Sequence, residues 1–303
     1  MKHLRIGTRG SLLAKWQAEF VRKQLFQLAG VEGEIVIIKT SGDKLHTSSL
    51  SQIGGKGIFI KELEDALLAG TVDLAVHSMK DVPTEIPKGL AFPATLRRED
   101  VRDCLISRDG RALDGLPRRA RIGTGSLRRQ AQLLYHRPDL QMANVRGNVD
   151  TRLRKLADGE YDAIVLAMAG LNRLGAADKI TQILEAEFML PAVGQGAIGI
   201  ETRADDAAAR SLAVRIGDAD TATALIAERA FLAVLDGSCR TPIGGHAQVS
   251  GETIRFRGMV VLSDGSEAFE VYREGRREEA AKLGADAGRE LKDRAGADFF
   301  TRL

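Results

Sequence analysis

Ala120-Arg121-Ile122-Gly123-Thr124-Gly125-Ser126-Leu127-Arg128-Arg129 joins a short apolar run to a glycine turn and a serine, with amphipathic sequence continuing to Tyr135. The run Ala120–Thr124 reads as a strand, and Ser126–Tyr135 as a helix that the serine can cap. Four of these residues, Arg121 to Thr124, repeat the earlier word Arg5-Ile6-Gly7-Thr8, which is also followed by a serine, Ser11. A second word, Gly70-x-x-Asp73-x-x-Val76-x-x-Met79, recurs as Gly159-x-x-Asp162-x-x-Val165-x-x-Met168. Two pairs in the same order indicate two similarly built α/β lobes rather than a short solenoid repeat.

Outward from these words the grammar is consistent. Strands are expected at Leu4–Thr8, Glu34–Thr40, Val72–Ser78, Leu140–Val145 and Asp162–Ala167, with helices at Ser11–Leu28 and Phe59–Leu68. Such alternation implies parallel sheets covered by helices. The stretch from Pro191 to Glu201 is too glycine-rich for a helix and reads as a turn and a strand returning to the first lobe. From Thr221 the character changes. A helix to Leu235 stops at Asp236-Gly237, and alternating runs follow at Ala247–Val249, Thr253–Leu262 and Glu267–Arg273, separated by turn words. A last helix, Arg276–Arg294, completes an α+β domain with a three-stranded antiparallel sheet. The expected division is residues 1–96 with 197–214 as the first α/β lobe, 100–192 as the second, and 219–303 as the third domain.

The 303 residues carry 44 Lys+Arg against 41 Asp+Glu, a formal charge of +3. That balance argues against a protein that coats nucleic acid or membrane. With 44% hydrophobic and 28% charged residues the chain has the composition of a folded, globular protein. Its N-terminus reaches charge and glycine before any apolar h-region, and the apolar stretch Ala163–Leu171 falls short of the ~20 residues that span a bilayer. Cys104 and Cys239 lie too far apart for a CxxC site. A cytoplasmic protein with free thiols and no bound metal is expected.

The chemistry starts at Arg128 and Arg129, in the first turn of a helix. Cations there oppose the helix dipole by about 0.3–1 kcal/mol each, a conflict that a bound anion would remove. A solvated basic face is the competing reading. Arg9, Lys80 and Arg146 sit just beyond strands, and Arg152 and Arg173 follow shortly. In open α/β sheets ligands bind outside the carboxyl ends of strands, so these cations point to a polyanionic ligand. Asp81, in His77-Ser78-Met79-Lys80-Asp81-Val82-Pro83, is either a turn former or the lone acid of a basic site, suited to stabilising a cation or moving a proton. Cys239 lies in a glycine-flanked loop beside Arg240, which would favour the attacking thiolate. A buried, inert thiol is the alternative, and it suits Cys104 in its apolar run. The glycine words lack the third glycine of GxGxxG and the Walker pattern, and the polar, irregular segment Thr40–Gly57 is long enough for a lid, with a plain linker as the competing reading.

Seven words in order carry a resemblance over all three domains: Ile6-Gly-Thr-Arg-Gly-Ser11, Ile53-Gly-Gly-Lys-Gly57 with Phe59-Ile-Lys-Glu-Leu63, Val76-His-Ser-Met-Lys-Asp-Val-Pro83, Ser126-Leu-Arg-Arg-Gln130, Val145-Arg-Gly-Asn148, Pro191-Ala-Val-Gly-Gln-Gly196 and Gly237-Ser-Cys239. In these the chain resembles the porphobilinogen deaminase family. The resemblance implies a monomer with lobes of periplasmic-binding-protein architecture. It also implies a heme-pathway transferase that joins four porphobilinogen molecules head to tail with loss of ammonia. It implies a dipyrromethane cofactor on a cysteine thioether, for which Cys239 matches. Asp81 matches the carboxylate that meets pyrrole nitrogens and stabilises the cationic methylene-pyrrole. Cofactor contacts are implied for Asp81, Lys80, Ser126, Arg128, Arg129 and Arg152. Substrate contacts are implied for Arg9, Ser11, Arg146, Arg152 and Arg173, with Lys56 and Phe59 in the lid region. Leu12, Lys15, Cys104 and Gly125 depart from the family pattern, and Gly125 removes one hydroxyl near the anion site. A solute-binding module and a nucleic-acid binder, the latter suggested by Arg118-Arg119, are the rival readings. The missing export signal and the 5% aromatic content weigh against them.

Overall fold

The computed structural model describes residues 3–40, 60–235, 237 and 241–303. Lys56, Phe59, Cys239 and all but Thr40 of the expected lid segment lie outside the described residues. The chain runs from β1 (His3–Thr8) through α1 (Leu12–Ala29) to β2 (Glu32–Ile37), then α2 (Lys61–Leu68), β3 (Leu74–Ser78) and β4 (Leu90–Thr95). β5 (Asp103–Ser107), β6 (Arg121–Gly123), α3 (Leu127–His136), β7 (Gln141–Ala143) and α4 (Val149–Ala157) follow. Next come β8 (Ala163–Ala167), α5 (Met168–Arg173), β9 (Gln182–Leu184), β10 (Ile198–Arg203), α6 (Ala207–Arg215) and α7 (Ala219–Val234). The chain ends with β11 (Ile243–Ser250), β12 (Thr253–Val261), β13 (Ala268–Arg276) and α8 (Ala280–Thr301). It divides into two compact units, Met1–Glu99 with Ala197–Ala222, and Asp100–Gly196 with Thr223–Leu303.

The repeated words lie at matching places. The first unit holds a sheet of order β2-β1-β3-β10-β4, and the second holds β7-β6-β8-β5-β9. Ile6 pairs with Leu74 in one and Ile122 with Ala163 in the other, so the register relative to the repeated words is the same. The repeated aspartate explains why. Asp73 accepts the Arg5 backbone N–H at 2.9 Å and donates its own N–H to the Arg5 carbonyl at 2.8 Å. Asp162 does the same with Arg121, at 2.8 and 2.9 Å. Each aspartate therefore locks its strand to the neighbour. The glycines that open the second word, Gly70 (φ 67°) and Gly159 (φ 80°), occupy the left-handed region where a Cβ is costly.

The sheets are mixed rather than parallel as the alternation implied. β10 runs antiparallel to β3 and β4, and β5 runs antiparallel to β8 and β9. Neither arrives through a helical crossover, which is what a parallel neighbour requires. In the first unit α1 is capped by Ser11, whose hydroxyl accepts the Ala14 N–H at 3.2 Å, and it buries Gln17, Ala18, Val21 and Leu25. Its apolar face packs with Leu4, Ile6, Leu74, Val76 and Ile200. Each fully buried Leu or Ile contributes roughly 1.5–3 kcal/mol, so packing rather than propensity holds the helix.

In the second unit β11-β12-β13 form the antiparallel three-stranded sheet. Phe231 of α7 and Phe256 of β12 centre its core, with Leu283, Ala287 and Leu291 of α8. The last helix passes its expected end at Arg294 and continues to Thr301 beyond a break at Gly296. Helix α3 touches the three-stranded sheet as well as its own: Ala131 clusters with Leu190, Met259 and Val261, and Gln130 donates to the Ser263 carbonyl at 3.4 Å.

Candidate active site

In the first unit the acid and two cations follow adjacent strands. β1 and β3 pair in parallel, so Arg9 and Ser11 follow one strand and Lys80 and Asp81 the next. Residues 79–81 form one tight turn whose first N–H donates to the Ala197 carbonyl at 3.0 Å. Gln17, buried on α1, holds the entrance to that turn: its amide donates to the Ser78 hydroxyl at 3.0 Å and accepts from it at 3.3 Å. Behind the turn His77 Nε2 lies 2.9 Å from Glu201 Oε2, both side chains buried. Gln17 was not among the expected site residues; its signal is a polar residue among the buried positions of α1.

In the second unit Ser126 caps α3, accepting the Arg129 N–H at 3.5 Å. Arg128 and Arg129 are only 4% and 6% exposed, which removes the solvated-face alternative. Both close on one acid. Arg128 donates to Asp103 Oδ2 at 2.7 Å, and Arg129 donates to Oδ1 through two nitrogens at 3.1 and 2.7 Å. Arg128 also donates to the Leu190 carbonyl and Arg129 to the Val165 carbonyl. Burial pushes the Asp103 carboxyl up, but attraction and hydrogen bonds from the two guanidiniums outweigh it and hold the group well below the usual carboxylate range. Burial lowers Arg128, with further lowering from Arg129 and opposition from Asp103. Two cations against one acid leave a buried positive excess in this cluster.

Gln195, from the word Pro191–Gly196, donates to Asp103 Oδ1 at 2.9 Å and to the Val101 carbonyl at 2.7 Å. The same loop is gripped by Glu228 of α7, which accepts the N–H groups of Gly194 at 2.8 Å and Ala247 at 2.9 Å. Asp103, Gln195 and Glu228 escaped the reading of candidate residues. Asp103 heads the apolar run Cys104-Leu105-Ile106, a charged residue where a strand should be dry. Arg152 donates to the Gly147 carbonyl at 2.8 Å, and Arg173 to the Gly196 carbonyl at 2.6 Å. The Nε atoms of Arg128 and Arg146 are buried and have no hydrogen-bond partner among the described residues. At Gly125 a Cβ would lie 3.0 Å from the Val145 carbonyl oxygen, a tight approach that suits glycine. Cys104 is fully buried, its thiol pushed up to about 12 by burial, in keeping with an inert structural thiol.

A family model described as porphobilinogen deaminase, dipyromethane cofactor binding domain, matches residues 4–211, and one described as porphobilinogen deaminase, C-terminal domain, matches 222–293. The chain belongs to the porphobilinogen deaminase family. It therefore carries the cofactor-binding domain of that family over its first two thirds. The porphobilinogen deaminase of Nitrobacter hamburgensis is 56% identical over 299 residues, covering 98% of this chain and 95% of that protein. That of Nitrobacter winogradskyi is 57% identical with the same coverage, and that of Paracoccus denitrificans is 51% identical over 98% of this chain and 96% of its own. Among solved structures, the methionine-binding protein MetQ covers 73% of this chain and 91% of its own, at 14% identity and a TM-score of 0.47. No helix among the described residues is long and apolar enough to cross a membrane.

Proposed function

We propose that this chain condenses four porphobilinogen molecules head to tail on a dipyrromethane primer held by Cys239 as a thioether, and that one water then cleaves the tetrapyrrole from the primer and supplies the hydroxyl of hydroxymethylbilane. In each condensation the C–N bond of the aminomethyl group breaks and ammonia leaves. A C–C bond then forms to the free α-carbon of the growing chain, and that carbon loses its proton. The observation that carries the reading is a buried positive excess around Arg128 and Arg129 in a chain of this family. The orphaned Nε atoms of Arg128 and Arg146 fit carboxylate-bearing pyrroles, because a dry guanidinium N–H without an acceptor is costly.

When bound, the dipyrromethane supplies the free pyrrole α-position from which the chain grows. Lys80, Ser126, Arg128, Arg129 and Arg152 take its acetate and propionate groups, and Arg9, Ser11, Arg146, Arg152 and Arg173 take those of incoming substrate. Lys56 and Phe59 act from the lid region. Asp81 accepts pyrrole N–H groups and stabilises the cationic methylene-pyrrole formed from substrate as ammonia leaves, a preorganised charge aimed at one that develops in the transition state. Residues 1–96 with 197–214, 100–192 and 219–303 serve as two lobes and an anchoring domain. The enzyme works as a cytoplasmic monomer without nucleic acid or membrane.

The denatured intact mass of the purified protein tests the anchor. A surplus of two condensed pyrrole units is expected, absent from Cys239→Ser. A bare polypeptide mass that persists after incubation with porphobilinogen would overturn the reading. Asp81→Asn is expected to keep the surplus while losing about 10²–10³ in kcat.

A further inference from the structure

Three fully or nearly buried charges, Arg128, Arg129 and Asp103, converge at the N-terminus of α3. Resting on the reading above, we propose that Asp103, seated by Gln195, is a positioning residue that fixes the Arg128–Arg129 pair for the cofactor's carboxylates. The carboxylate divides its two oxygens between the arginines: Oδ2 takes Arg128, and Oδ1 takes both the Nε and an Nη of Arg129. An arginine has four side-chain torsions, and an unpaired one has many ways to point. A shared acid with carbonyl partners at Leu190 and Val165 removes that freedom before any ligand arrives. Arg128 Nε stays without an acceptor in the result, a donor held ready in a dry place.

Gln195 sets the acid in turn. Its amide nitrogen is shared between Asp103 Oδ1 and the Val101 carbonyl, and the side chain is 1% exposed. Gln132 secures the neighbouring carbonyl, donating to Leu190 O at 3.0 Å and accepting the Leu190 N–H at 2.7 Å. Thus the arginines, their acid and its amide form one buried, hydrogen-bonded network inside the second unit, and the loop Pro191–Gly196 supplies the outermost member.

The test uses full-length apoprotein made without porphobilinogen, in wild-type, Asp103→Asn and Gln195→Met forms, each incubated with porphobilinogen and followed by intact mass. Circular dichroism and a thermal melt report folding separately. Asp103→Asn is expected to load roughly tenfold or more slowly than wild type while its folded signal is retained, with a higher KM in the loaded fraction. Gln195→Met keeps every charge and is expected to slow loading by a smaller factor. A folded Asp103→Asn that loads at the wild-type rate overturns the proposal. If that variant fails to fold, wild-type loading by Gln195→Met overturns it instead. A wild-type protein that never gains mass rejects the underlying function, which separates the two failures.

Discussion

Glu228 offers a measurable handle on how α7 grips the loop beside the arginine pair. The side chain is fully buried and its two oxygens accept the N–H groups of Gly194 and Ala247 at 2.8 and 2.9 Å. Glu228→Gln keeps the length and one acceptor oxygen but turns an NH₂ group toward one of those donors. A backbone N–H left without an acceptor in a dry site costs about 1–3 kcal/mol. That free energy corresponds to roughly 5–150-fold in a local opening equilibrium. Amide hydrogen exchange resolved by residue is the assay. Exchange at Gly194 or Ala247 is expected to accelerate within that range, while amides in the core of β12, such as Phe256 and Val260, keep their protection. Wild-type protection at both amides, within a factor of two, would refute the grip. Equal acceleration through β12 would refute it too, since the loss would then be global.

Three further outcomes are expected from the packing of Cys104, Gly284 and Asp73. Cys104, its thiol pushed up to about 12 by burial, presents almost no thiolate at pH 8, so iodoacetamide should label its peptide rapidly in urea and barely in the native protein; fast native labelling refutes its burial. Gly284 on α8 has the Ala227 carbonyl oxygen of α7 2.0 Å from where a Cβ would stand, so Gly284→Ala should lower Tm although alanine is about 1 kcal/mol the better helix former, and a neutral or raised Tm refutes the close approach. Burial raises the Asp73 carboxyl, but its bonds to Arg5 lower it more, so its folded pKa lies below the unfolded value of about 3.9. Its stabilisation is then present above pH 4 and lost as pH falls through the folded pKa. Urea midpoints of wild type and Asp73→Asn should differ at pH 7 and converge below pH 4, and a gap constant with pH refutes the linkage.

Much of the framework was legible because it rests on local rules. Ser11 and Ser126 cap helices where a serine precedes amphipathic sequence, and the repeated glycine-aspartate words mark matching strand locks. What escaped was non-local. β4 and β9 carry no repeat word, and β10 and β5 enter their sheets antiparallel, which depends on partners far along the chain. At the site, the basic residues could be read from type and position, because a cation in the first turn of a helix violates a local preference. Their shared acid could not. Asp103 lies 25 and 26 residues from its arginines, and nothing nearby in the sequence says that a strand-heading aspartate will be buried between them.

The internal repeat also shows one framework carrying two different placements of charge. Matched through Met79 and Met168, the turn after β3 carries Lys80-Asp81 where the start of α5, after β8, carries Ala169-Gly170. The incoming antiparallel strand shows the reverse exchange. Ile198 pairs with Ser78 and Asp103 with the equivalent Ala167, so the same slot is apolar in the first unit and acidic in the second. An acid in that slot is tolerable only where cations answer it, because an unpaired buried carboxylate costs several kcal/mol. Arg128 and Arg129 answer it in the second unit, while in the first the apolar Ile198 asks for no such partners and the acid stands on the turn, half-buried at Asp81. The two units thus differ in where the charge sits: one carries an acid on the turn beyond a strand end, and the other holds its acid within the sheet between two arginines.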